Sequence, residues 1–117
     1  MNIIELIKWQ SEGYAKFHKS KLNLWVHILA VPIFIIAFFS LIISAFNFNG
    51  LQFLFSLMLI IISIVSQGIG HSKEVHAPEK FTGPVNGITR ILLEQFYTFP
   101  KFVLNGGWFT ALKTNKR

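Results

Sequence analysis

From Leu24 to Phe46 the chain reads LWVHILAVPIFIIAFFSLIISAF, without one charged side chain. A second apolar run, LQFLFSLMLIIISIVSQGIG, follows from Leu51 to Gly70. A helix crosses a bilayer with ~20 apolar residues, so the pattern predicts two transmembrane helices, over 24–46 and 51–70. The intervening Asn47, Asn49 and Gly50 carry turn chemistry, and Pro32 predicts a kink in the first span. Residues 1–22 have helical periodicity. Ile3, Ile7, Tyr14 and His18 fall near one face with Ile4 and Trp9 beside it, which predicts an amphipathic helix lying along a membrane surface or against the cytoplasmic end of the spans. Residues 87–109 are apolar but interrupted by Arg90, Glu94, Gln95, Pro100 and Lys101. They predict one or two short interfacial helices, broken near Pro100 and ended by Gly106 and Gly107. The expected fold is all-α, one membrane domain over 1–117. It is an integral membrane helical hairpin with an N-terminal amphipathic helix and C-terminal interfacial or partly inserted helices.

Charge gives this hairpin a direction. No Asp, Glu, Lys or Arg occurs between Lys21 and Lys73. Lys8, Lys16, Lys19 and Lys21 precede the first span, the tip at 47–50 is uncharged, and seven Lys and Arg follow Gly70. Cytoplasmic loops are enriched in Lys and Arg, so both termini are expected in the cytoplasm, of a bacterial inner membrane or an endoplasmic reticulum. Lys113, Lys116 and Arg117 argue against a third crossing that would carry the C-terminus across. The net charge of +6 does not point to nucleic acid, because the cations flank an apolar block and suit anionic headgroups. Lys73 and Arg90 are read as membrane-surface cations, with the holding of a substrate carboxylate as their other use. Hydrophobic residues make up 52% of the chain and charged ones 14%, against the usual quarter. That balance again makes lipid the main solvent. A chain of this size with two spans suits a homodimer, although no GxxxG pattern specifies one.

The hairpin also gathers histidines. His27 begins the first span and His71 ends the second, so an antiparallel pair holds them at one depth. His18 lies a short loop before His27, and His76 a short loop after His71. All four histidines of the chain therefore belong to the cytoplasmic mouth. Neutral imidazole is the commonest side-chain metal ligand. Glu74, three residues past His71, shares its face if the helix continues. His18, His27, His71 and Glu74 are the expected metal ligands, with His76 a further candidate. Two or three histidines with one carboxylate suit the open coordination of non-heme Fe(II) oxygenases, and zinc also binds such a set. Asn23 and Gln67 are placed to orient the imidazoles. Tyr14 is counted with them, its other reading being an interface anchor. Each histidine alone is more readily a hydrogen-bonded interfacial side chain than a ligand; their convergence carries the metal reading.

Other chemistries are excluded. The chain has no Cys, hence no disulfide, thiolate site or cysteine nucleophile. It has no Asp, hence no Ser-His-Asp triad, and neither a phosphate-binding Gly-rich loop nor G-x-S-x-G.

Two ordered blocks are familiar. YAKFHKSKLNLWVHILAVP, Tyr14 to Pro32, has the form Y-x3-H-x4-N-x3-H-x4-P. QGIGHSKEVHAP, Gln67 to Pro78, has the form Q-x2-G-H-x2-E-x3-P. Together with LLEQFYTFPKFVL, they resemble the Mpo-like family of small membrane proteins, which includes a 2-hydroxy fatty acid dioxygenase. The resemblance implies an Fe(II)-dependent enzyme that uses O2 to shorten a 2-hydroxy fatty acid by one carbon in α-oxidation. His18, His27 and His71 match the family's histidines, and Glu74 and Gln67 its polar companions. Two other readings of the same residues stand beside it: a non-catalytic membrane module binding lipid or a partner helix, and a metal-dependent lipid hydrolase.

Overall fold

A computed structural model describes residues 2–114. The C-terminal Lys116 and Arg117, used above for orientation, lie outside the described residues. Among these residues every regular element is helical. In chain order they are α1 (Ile3–Phe17), α2 (Lys21–Phe46), α3 (Gly50–His71), α4 (Pro84–Leu93), a π-helical turn (Glu94–Thr98), α5 (Phe99–Leu104) and α6 (Gly107–Thr114). Side-chain caps start the first three. Asn2 accepts from the Glu5 N–H, Ser20 from Asn23 and Asn49 from Gln52. Each satisfies one of the N–H groups that a helix start leaves without a partner.

Helices α2 and α3 are both long and apolar enough to cross a membrane. Only 28% and 22% of their most apolar windows are buried within the protein, whereas the core helix of a water-soluble domain is mostly covered. α2 buries an apolar stripe through Leu24, Val31 and Phe34 beside Asn23, His27 and Ser44, whereas α3 buries small and polar residues. The covered positions of α3 are Ser56, Ser63, Gln67 and Gly70. Ser63 Oγ donates to the Ala30 carbonyl at 2.7 Å, Ser56 Oγ to Ser40 Oγ at 2.8 Å, and Gln52 Nε2 to Ser40 Oγ at 3.0 Å. Outward face Ile36, Phe39, Ile43, Phe55, Ile61 and Ile69, each more than half exposed. Small and hydroxyl side chains at the seam with large apolar ones outside is how helices associate when the surrounding solvent is hydrocarbon.

The remaining elements pack around one end of this pair. Tyr14, Leu24, Val31, Phe99, Phe102, Trp108 and Ala111 form the apolar core, drawn from α1, α2, α5 and α6. Trp108 Nε1 donates to the Leu24 carbonyl at 2.8 Å and ties α6 to α2. The covered stripe of α1 runs through Leu6, Tyr14 and His18, while Ile3 and Ile4 are exposed. The expected face therefore holds at its C-terminal half and is rotated at its start.

The C-terminal region departs from expectation. The helix does not break at Pro100. α4, the π turn and α5 are one continuous helical run, and the chain turns instead at Asn105 and at Gly106, whose φ is +84°. The π turn, with the Phe99 N–H bonded to the Glu94 carbonyl, widens the helix just ahead of Pro100. A wider turn makes room for a ring that would otherwise strike the carbonyl four residues earlier.

Gly70 marks the closest approach of α3 to α2. A Cβ there would collide with the buried Asn23 side chain and come within 3.3 Å of Asn23 Cα. Gly70→Val is expected to cost about 1–3 kcal/mol, read as a lower melting temperature in detergent, while Gly68→Val, at an open position, leaves it unchanged.

Candidate metal centre

Four side chains from four elements converge where the helices meet: His18 just past α1, His27 in the second turn of α2, His71 at the end of α3, and Glu94 opening the π turn. One ligand atom from each lies within 4.8 Å of every other. The imidazoles are mutually edge-on, with ring centroids 4.6–4.9 Å apart.

The backbone fixes two of the rings. His18 Nδ1 lies 2.8 Å from the Tyr14 carbonyl, and His27 Nδ1 lies 3.0 Å from the Asn23 carbonyl. A carbonyl only accepts, so both Nδ1 atoms carry hydrogen and donate. In the neutral rings both Nε2 lone pairs then point inward. They face the same oxygen, Glu94 Oε2, at 3.1 Å from His18 and 3.3 Å from His27. The His27 contact lacks hydrogen-bond geometry, leaving its buried Nε2 without a partner, as is the buried His71 Nδ1. Tyr14 OH donates to Glu94 Oε2 at 2.7 Å, and its ring stacks on His18 at 3.7 Å.

Lone pairs turned on a carboxylate oxygen repel unless a cation or protons lie between them. Burial lowers the His18 pKa below its ordinary 6.5, against the opposing pull of Glu94. Burial alone would raise Glu94; hydrogen bonds and charge from His18 and His27, which act when those rings carry the protons, outweigh it and hold the carboxyl well below the usual carboxylate range. Tyr14 is pushed well above 10, first by burial and then by Glu94, and stays a protonated donor. With the rings neutral, the arrangement offers a carboxylate oxygen and inward-turned imidazole lone pairs, a set of electron-pair donors. Ligand atoms about 3.0–3.4 Å apart span the edges of an octahedron or tetrahedron with metal bonds near 2.1 Å, and both Nε2–Oε2 separations fall in that range. Donors on one ion sit at most about 4.2 Å apart, so the widest pair closes by about 0.6 Å. The residues fit a divalent transition metal.

Glu74 is not the carboxylate of this group. α3 ends at His71 and the chain turns through Ser72 and Lys73, so the helical face shared by His71 and Glu74 does not continue. Glu74 instead accepts from the Lys19 and Ser20 N–H groups at 2.9 and 3.0 Å and from Asn23 Nδ2 at 2.8 Å. A carboxylate is favoured there by the unsatisfied N–H groups and dipole of the α2 start. It holds the linker that carries His18. His76 is exposed in the following loop and stands outside the group. Asn23 orients His27 through its backbone carbonyl rather than its side chain. The Gln67 amide hydrogen-bonds elsewhere than to His71: it forms a reciprocal pair with Gln95, at 2.9 and 2.8 Å, buried beside Ser63. Glu94 and Gln95 were read from the sequence only as interruptions of an apolar segment. An ionisable residue inside such a run, ILLEQF, is the signal that could have found them.

Comparison of the chain with protein-family models, with curated proteins and with solved structures gives no match.

The two glutamates separate experimentally. Glu94→Gln is expected to lower bound metal at least about 10-fold by elemental analysis, while Glu74→Gln keeps the metal and loses about 1–3 kcal/mol of stability from the unpartnered N–H groups. Acid acts through the imidazoles. His18 titrates lower folded than unfolded, so the unfolded chain binds more protons below pH 6.5 and stability declines as pH falls through that value. Protonated imidazoles also cannot ligate. Because burial holds the His18 pKa below 6.5, metal retained on dialysis at pH 7 is expected to survive mild acidification and to be lost only as the pH falls well below 6.5.

Proposed function

We propose that this protein is a non-heme Fe(II) dioxygenase of the membrane surface that shortens 2-hydroxy fatty acids by one carbon. The observation that carries the reading is the convergence of His18, His27, His71 and Glu94 with both backbone-anchored imidazoles turned inward. Histidines with one carboxylate are the ligand chemistry of Fe(II) oxygenases, and the two motif blocks that resemble the Mpo-like family supply three of the four residues.

The reaction balances on one O2: a 2-hydroxy acid gives the acid one carbon shorter, CO2 and water. The carbon–carbon bond beside the carboxylate breaks, the substrate supplies four electrons, and no 2-oxoacid or external reductant enters. Bound iron would supply O2 activation and a point of attachment for the substrate's carboxylate and hydroxyl. The chain does the rest. His18, His27, His71 and Glu94 provide an anchored donor set. Tyr14 holds the Glu94 carboxylate in place and keeps a proton beside the site. Phe99 and Phe102, packed near the His27, His18 and Tyr14 rings, shut water out on the core side.

The long apolar helices support a membrane hairpin, with α1 and α4–α6 gathered at its cytoplasmic mouth. The outward-facing Ile and Phe side chains favour lipid around α2 and α3, and the flanking lysines favour cytoplasmic termini. An acyl chain would then reach the site from the same lipid.

The test uses protein purified in detergent. About one iron per chain and equal O2 consumption and CO2 release with 2-hydroxypalmitate are expected, without added 2-oxoacid. His27→Ala and His71→Ala should insert normally and lose turnover about 100-fold or more. Full turnover with either variant, or stoichiometric zinc with hydrolysis that needs no O2, overturns the proposal.

A further inference from the structure

Beside the metal centre lies an open cavity of about 250 Å³ that reaches from Tyr14, His18, His71 and Glu94 to Trp9 and Arg90. Arg90 is 8% exposed and is held with unusual completeness. Its Nη2 donates to the Glu79 carbonyl at 2.9 Å, and its Nη1 to the Lys80 carbonyl at 3.2 Å and to Asn86 Oδ1 at 3.5 Å. The guanidinium lies 4.9 Å from the Trp9 ring centroid and 4.7 Å from that of Phe81. Gly87, one turn earlier, leaves room for the Phe81 ring, which a Cβ would meet at 3.3 Å.

All these contacts orient the cation without neutralising it. Among the described residues no carboxylate pairs with Arg90. Glu94 is turned to Tyr14, His18 and His27, and Glu79 offers its backbone while its residue is exposed. The buried Nε has no hydrogen-bond partner. An arginine keeps its charge, and a buried charge without a counter-charge is costly. Desolvation works against it here, and the more distant fields of Glu79 and Glu94 only partly offset that. A structure that spends two aromatic rings and three acceptors on fixing such a cation in a pocket wall is built for an anion that arrives from outside.

We propose that this cavity takes the anionic headgroup of an amphiphile, carboxylate or phosphate, and that Arg90 is the residue selecting for that charge. The inference rests on the substrate pocket of the function proposed above and adds its recognition element. The cavity holds a headgroup and a few carbons, being below the 300–1,000 Å³ usual for larger ligands. The rest of an acyl chain leaves through its open side. Arg90 acts by placing the head against Tyr14 and the histidines; it is a positioning residue and no part of the ligand set.

Binding decides the matter without any assay of turnover. Radiolabelled dodecanoate, dodecyl phosphate and dodecanol are equilibrated with the full-length protein in neutral-lipid nanodiscs, and binding to empty nanodiscs is subtracted. Wild type is expected to bind one or both anions at least about 10-fold more tightly than dodecanol, a preference worth about 1.4 kcal/mol. Whichever anion binds tighter identifies a fatty-acid or a phospholipid-like head. Arg90→Gln should remove the preference and leave dodecanol binding unchanged. Arg90→Lys, which keeps the charge but not the planar fork, should retain an intermediate preference. Metal content measured on the same samples reports separately on the metal centre. Metal-free protein that still prefers the anion supports the present proposal while failing the previous one. A wild type with no preference for either anion, or an Arg90→Gln variant that folds and keeps it, overturns the proposal.

Discussion

The centre of this molecule is a single carboxylate oxygen, Glu94 Oε2, on which one donor and two lone pairs converge. Tyr14 supplies the donor; His18 and His27, each committed at Nδ1 to a carbonyl one turn earlier, supply the lone pairs. Among the described residues no lysine or arginine pairs with that oxygen, and the groups around it come from four different elements. The packing of α1, α2, α3 and the π turn against one another is therefore the same fact as the geometry of the site. A metal bound there would also join these elements, and in such sites metal affinity and folding are coupled.

The surroundings serve this point in separable ways. Glu74 fastens the linker between α1 and α2 by taking its N–H groups, and its contact with Asn23 steadies the turn whose carbonyl holds His27. Gly70 lets α3 approach Asn23 closely enough for His71 to join. The π turn has a similar local logic. By inserting wider helical spacing at Glu94–Thr98, it directs Glu94 and Gln95 inward from an otherwise apolar run and lets the helix continue across Pro100. Gln95 then finds Gln67, so that two buried amides satisfy one another. A polar seam therefore runs from the centre along α2 and α3 through Gln67 and Ser63, enclosed by apolar side chains that face outward.

This polar seam, lined outward by apolar side chains, connects the fold to the function proposed above. A pair of helices dressed in isoleucine and phenylalanine suits hydrocarbon, while the elements at its end enclose an electron-donating cluster and a cavity with a fixed cation. Amphiphile and protein would then meet at the one depth where a charged head and an acyl chain each find their own solvent.

The sequence by itself determined the two long helices and the convergence of three histidines at one end of them. Two charge-free runs of bilayer length, a turn of Asn and Gly between them, and histidines at matching ends of an antiparallel pair leave few other arrangements, because hydrophobic periodicity and length are local properties. Which carboxylate completes the group was decided only by tertiary structure. Glu74 lies three residues from His71 and Glu94 lies far along the chain, so proximity in sequence favoured Glu74. The end of α3 at His71 turned it toward the start of α2 instead. The place of Glu94 depended on a π turn and on the docking of α4–α5 against α1 and α2, where Gln10 bonds the Arg90 carbonyl and Thr98 bonds Gln10. Such contacts between distant segments are set by packing and mutual hydrogen bonding, which no local pattern encodes.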